Sequence, residues 1–169
     1  MLVGVTGAGC APAPLARSDL GGPELRAIHD AFVRTVARTY ADPDRSWSSG
    51  WAGNVWVNFA GGTNRGLCYE WRDAVYDGVK DAVAARGWDL TGIAINVGTG
   101  SEHHAVLVFD PRVVGRERLL AQPAPRHGYV LDAWLRGGPD IWRLDDWVNI
   151  PLGIVRPAEL EDLPYAYPG

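Results

Sequence analysis

Cys68 lies in Gly61-Gly62-Thr63-Asn64-Arg65-Gly66-Leu67-Cys68-Tyr69-Glu70-Trp71, a glycine-rich loop that runs into an apolar-periodic segment. A thiol at the start of a helix faces unpaired backbone N–H groups and the positive end of the dipole. Both favour thiolate over thiol, and the thiolate is the nucleophile. Two later segments carry the partners that a thiol nucleophile requires. His103-His104-Ala105-Val106-Leu107-Val108-Phe109 opens with two histidines, and Tyr129-Val130-Leu131-Asp132 closes on a carboxylate. A base must take the thiol proton and later protonate the leaving group. An acceptor must fix the tautomer of that base, and donors must stabilise the developing oxyanion. His104 is the expected base, because it precedes Ala105-Val106 and shares a strand face with Val106 and Val108. His103 points to the opposite face and is the alternative base. Asp132 is the expected orienting acid. The Cys68 N–H is one oxyanion donor, and the side-chain amides of Asn64 and Asn58 are candidates for another. Trp51, Trp56 and Trp134 are candidates for lining a substrate cleft. Trp134 also stands two residues after Asp132, where it can shield a His–Asp pair from water.

Each of these residues has a plainer structural reading. A lone cysteine in a helix is a small buried hydrophobe in most proteins. Asp132 can simply close a strand. Glu70 and Asp73 fall in the first turns of the Cys68 helix, where the dipole favours acids, and are read as structural. Asp145-Asp146 is read as a solvated turn. Cys10 and Cys68 lack a CxxC neighbour, which argues against zinc and dithiol redox sites. No metal or cofactor is called for, since thiol, imidazole and carboxylate complete the proposed chemistry.

The elements that must position these residues follow from periodicity. Leu25, Ile28, Phe32, Val36 and Tyr40 recur at helical spacing behind Pro23, which predicts a helix over 23–41. Leu67, Trp71, Val75, Val79 and Val83 predict a second, central helix over about 67–85, ended by Gly87. The period then changes to two. Residues 93–97 and 104–109 predict a hairpin, 129–132 a third strand and 141–144 a fourth. A short strand is also predicted at 55–59. Helix, helix and antiparallel meander define an α+β domain over 23–169.

Helix-start Cys68, strand-start His104-Ala105-Val106 and strand-end Asp132 resemble the papain-like and transglutaminase-like thiol superfamily. The segment from Asn64 to Trp71 resembles its nucleophile segment. His103 to Leu107 resembles its His-Ala-Val strand, and Gly128 to Trp134 resembles its hydrophobic strand ending in Asp. The likeness covers roughly residues 55–135. It implies a Cys-bearing helix packed on an antiparallel sheet that carries His and Asp. It also implies attack on an amide or related acyl group through a thioester. The chain has no glutamine where papain-type enzymes place an oxyanion amide, and residues 111–127 lengthen the His-to-Asp interval.

Composition narrows the partners. Net charge is −4 with no basic run, which argues against nucleic-acid binding. No apolar run reaches the roughly 20 residues of a membrane-spanning helix. Residues 1–22 are rich in Gly, Ala and Pro and read as a flexible leader. Within it, the small apolar run ending at Cys10 resembles the end of a bacterial lipoprotein signal. That resemblance implies a lipid anchor at Cys10 and a secreted or envelope-associated protein. The expected activity is therefore a cysteine amide hydrolase or acyl transferase acting on a peptide, protein or peptidoglycan-like amide. The competing expectation is a non-catalytic peptide- or glycan-binding domain on the same fold, with the tryptophan-rich loop at 47–56 as its surface.

Overall fold

The first long helix, α1 (Gly22–Tyr40), begins with Pro23 in its first turn and buries Leu25, Ile28, Phe32 and Val36 along one stripe. The second, α2 (Cys68–Ala84), buries Trp71, Val75, Val79 and Val83 at the same spacing. The two stripes face each other. Gly78 lets them close, because a Cβ there would collide with the Thr35 side chain. The computed structural model describes residues 12–51, 65–121, 127–152 and 156–163.

Five strands are present among the described residues: β1 (Asp89–Ile95), β2 (His103–Phe109), β3 (Tyr129–Asp132), β4 (Asp140–Arg143) and β5 (Glu159–Glu161). They form one sheet in the order β4-β3-β2-β1-β5, and every neighbouring pair is antiparallel. The domain is α+β, as periodicity predicts. The hairpin, third strand and fourth strand all fall where period two places them. The predicted strand at 55–59 lies outside the described residues.

Alternation along β2 divides the core in two. Val106 and Val108 join Leu131 and the stripes of α1 and α2 on one face. Ala105, Leu107 and Phe109 join Val130, Trp142, Leu144 and Trp147 on the other. That second face is closed by a short helix, α3 (Leu144–Val148), and by Val114 and Leu119 of the β2–β3 connection. The sequence reading assigned Asp145-Asp146 to a turn. They instead occupy the first turn of α3, where carboxylates meet the positive helix end.

Part of the expected leader is folded. Leu20 is 2% exposed in the helical core, Leu15 packs against it, and the Leu15 N–H donates to Ile141 O at 2.7 Å. Residues 15–20, within the expected leader, thus dock on the domain. Residues 1–11, with Cys10, lie outside the described residues. No helix among the described residues is long and apolar enough to cross a membrane.

Candidate active site

Cys68 is the first residue of α2, and two features place it there. Gly66 sits at φ +144°, and a Cβ on it would strike the carbonyl oxygen of Ser48. Glu70, in the first turn, accepts from the N–H groups of Gly66 at 2.8 Å and Leu67 at 3.1 Å, and pairs with Arg65 at 2.6 Å. The carboxylate thus satisfies the loop donors ahead of the thiol. The Cys68 N–H keeps no acceptor among the described residues. The loop is tied on both sides. Ser48 N–H donates to Arg65 O at 3.0 Å, Trp71 Nε1–H donates to Ser48 O at 2.6 Å, and Gly50 N–H donates to Trp134 O at 2.9 Å. Segment 46–50 therefore links the approach to Cys68 with the exit from Asp132.

The thiol lies at the start of β2, with Sγ 3.8 Å from the carbonyl oxygen of Glu102. Cys68 is 6% exposed. Immediately after Glu102 the two histidines diverge to opposite faces of the strand.

His103, not His104, meets Asp132. His103 Nε2 lies 2.6 Å from Asp132 Oδ2, and both side chains are buried. The same carboxylate oxygen accepts from Trp147 Nε1 at 2.9 Å, while Oδ1 accepts from the N–H groups of Trp134 and Leu135 at 3.0 and 3.1 Å. Four donors fix the carboxylate as a charged acceptor. The other ring nitrogen of His103, Nδ1, is buried with no hydrogen-bond partner. Burial pushes the His103 pKa down. The charge and hydrogen bond of Asp132 more than reverse this, and interaction with the Cys68 thiol adds to them, raising it to about 9. Burial pushes Asp132 up, and the His103 charge and hydrogen bond bring it below the usual carboxylate range. Trp134 and Trp147 flank the imidazole with ring centroids 4.9 and 5.4 Å away. Trp134 is 4% exposed and belongs to the helical core as well as packing on the His103 ring.

His104, the expected base, is committed elsewhere. Its Nε2 lies 2.7 Å from Glu102 Oε1 and its Nδ1 lies 3.0 Å from Glu161 Oε1. Both nitrogens face carboxylates, and Arg72 Nη1 also lies 3.3 Å from Nδ1, so neither nitrogen is left open toward the thiol. Burial lowers its pKa, and Glu161 followed by Glu102 raises it overall. Glu161 in turn holds Arg72 at 2.8 Å, one turn after Cys68. This network pins β5 to the helix. The expected pairing of His104 with Asp132 fails because of register. Val106 opposes Leu131, so Asp132 comes opposite residue 105 and shares the face of His103. β5, whose carboxylate occupies His104, is three residues long and too short to show a period.

Of the other expected site residues, Trp51 is 68% exposed and lines a small cleft with His103 and Trp134. Asn58, Asn64 and Trp56 lie outside the described residues. Among the described residues, no group of three His, Cys, Asp or Glu side chains could hold a metal ion. Trp147 was missed as a site residue. Its indole donor is invisible in the sequence until α3 folds beneath Asp132.

Comparison with protein-family models, curated proteins and solved structures finds no match for this chain.

Proposed function

We propose that this protein is a cysteine-nucleophile amide hydrolase or acyl transferase, with Cys68 as nucleophile, His103 as acid and base, and Asp132 as orienting acid. One observation carries the reading. His103 is locked to Asp132 through Nε2, its buried Nδ1 has no hydrogen-bond partner among the described residues, and interaction with the Cys68 thiol adds to the raised pKa of the ring. The papain-like resemblance of the sequence agrees with a Cys-bearing helix packed on an antiparallel sheet, and a papain-like or transglutaminase-like fold is part of this proposal.

With a pKa raised to about 9, His103 is an imidazolium at neutral pH. Its charge favours the thiolate of Cys68. Sγ attacks the acyl carbon, and the carbonyl electron pair moves onto oxygen beside the Cys68 N–H. The C–N bond breaks as His103 delivers its proton to the departing nitrogen, which leaves as an amine. Water, or an amine in the transferase case, then attacks the thioester while giving its proton to His103. The C–S bond breaks, the acid or new amide departs, and the thiolate–imidazolium pair is restored. Asp132 keeps its charge throughout and holds the ring in place.

The test is acylation by p-nitrophenyl acetate. The wild type is expected to release one equivalent of nitrophenolate in a burst and to carry an acetyl group on Cys68 by peptide mass spectrometry. Cys68→Ala abolishes the adduct, and His103→Ala slows its formation more than His104→Ala does. Burial of the thiol is the observation that favours a non-catalytic binding domain instead. A native protein that forms no adduct on Cys68, or forms it equally fast without His103, would favour that second reading.

A further inference from the structure

Beyond the His103 ring lies a partly open cleft of about 150 Å³, with Trp51, Trp134, Leu135 and Leu152 on its apolar side and Ser101, Glu102 and His103 on its polar side. Two independent features mark it as built for a ligand. Four of those side chains make apolar walls. One of its lining residues, Trp134, is 4% exposed and carries a buried polar atom without a partner, Nε1. An indole N–H buried without an acceptor costs free energy that a bound carbonyl would recover. Apolar walls around a few convergent polar groups are the usual composition of a small-ligand site.

We infer that this cleft is the leaving-group subsite, and that the leaving amine is an apolar amino-acid residue of a peptide. Its side chain fills the cleft, and its carbonyl accepts from Trp134 Nε1–H. The assignment of side rests on the Cys68–His103 chemistry proposed above. The general acid must reach the departing nitrogen, so the group bonded to that nitrogen lies on the His103 side. Size sets the residue type. An apolar cavity of about 150 Å³ holds a benzene-sized group, which matches a leucine or phenylalanine side chain. A glutamine side-chain amide would release ammonia and leave the cleft empty. A peptide bond preceding a bulky apolar residue uses both the walls and the indole donor.

The test is an NMR titration of the full chain carrying Cys68→Ala, so that binding is read without chemistry. The probes are L-leucinamide, L-phenylalaninamide, glycinamide and isopentylamine, which keeps the leucine side chain but lacks the carbonyl. The two apolar amides are expected to bind at least about tenfold more tightly than glycinamide, the discrimination an apolar pocket supplies. Isopentylamine binds more weakly than leucinamide, and only the amides shift the Trp134 indole N–H resonance. Trp51→Ala weakens leucinamide binding and leaves glycinamide unchanged. Equal affinity for leucinamide and glycinamide, or an unmoved Trp134 resonance, overturns the subsite. In the thiol-bearing protein, the acetyl thioester is expected to transfer to leucinamide faster than to glycinamide. Selective binding with no acetyl-Cys68 formed would uphold an apolar-residue site and overturn the thiol chemistry instead.

Discussion

Raising the pH from about 6.5 to about 9 is expected to destabilise the fold, and the decline traces to His103. An unfolded-chain imidazole titrates near 6.5, whereas His103 in the folded protein holds its proton to about 9. A raised folded pKa contributes stability that is fully present below the unfolded value and is lost as pH climbs through the folded one. Between the two values the native state binds one proton more than the unfolded chain. The slope is then a loss of about 1.4 kcal/mol per pH unit. Across the whole interval the loss comes to about 3 kcal/mol, against a total stability of roughly 5–15 kcal/mol. His104 is also raised by its carboxylate partners, so its titration contributes with the same sign.

Asp132→Asn separates the two histidines. Without the carboxylate charge, burial dominates at position 103 and the ring is neutral across this range, so its proton excess vanishes. Urea unfolding at half-unit pH intervals supplies both stability curves. The wild-type curve is expected to fall more steeply than the variant curve between pH 6.5 and 9, while the His104 contribution, common to both, cancels in the difference. The pH dependence of the His103 ring resonances in the wild type gives an independent reading that does not require the variant to fold. Parallel stability curves, together with a His103 ring that titrates near 6.5, would refute the coupling to Asp132.

Three further outcomes follow from the same contacts. At pH 6.5, His103→Gln is expected to slow iodoacetamide alkylation of Cys68 about tenfold or more, and His104→Gln to change it by about twofold at most, because only His103 has a nitrogen free to face the thiol. Trp147→Phe keeps an aromatic ring against His103 but removes a 2.9 Å donor to the buried Asp132 carboxylate, at an expected cost of about 1.5–3 kcal/mol by urea unfolding. Arg72→Met leaves Glu161 with His104 as its remaining charged partner and is expected to cost about 1.5–3 kcal/mol, with Glu161→Gln in the same chain recovering part of the loss in a double-mutant cycle.

Much of this fold is legible in the sequence because each main element repeats its own period. The stripe from Trp71 to Val83 can be only a helix face, and the alternation from His103 to Phe109 splits cleanly between two cores. What stayed hidden were elements too short to show a period. β5 has three residues, and its membership of the sheet depends on Gly92, which admits Glu161 where a side chain would not fit. α3 spans five residues and reads as turn chemistry until Leu144 and Trp147 are seen in the far core. The docking of Leu15 and Leu20 was hidden by the Ala, Pro and Gly around them.

The choice between the two histidines shows why a site is harder to read than the fold that carries it. Both open the same strand, and the sequence places His104 on the face that α2 covers. Sharing a face with the helix looks like proximity to its thiol. Cys68, however, is the first residue of α2 and reaches the strand at its start, beside the carbonyl of Glu102, where either histidine is near. The deciding contact is therefore the one with the acid, and that contact obeys a parity rule. In an antiparallel pair, side chains on one face belong to residues directly opposite or two apart. The pairing of Val106 with Leu131 puts Asp132 on the face of residues 103 and 105. A register shifted by one residue would have given the same carboxylate to His104. No local pattern encodes that register, because a connection of 19 residues separates the two strands. It is set instead by the two cores, which fix Val130 against Trp142 on one face and Leu131 against the helices on the other. Packing of the hydrophobic residues thus selects which histidine can serve the thiol, and His104 is left to pair with Glu161 and anchor the edge strand.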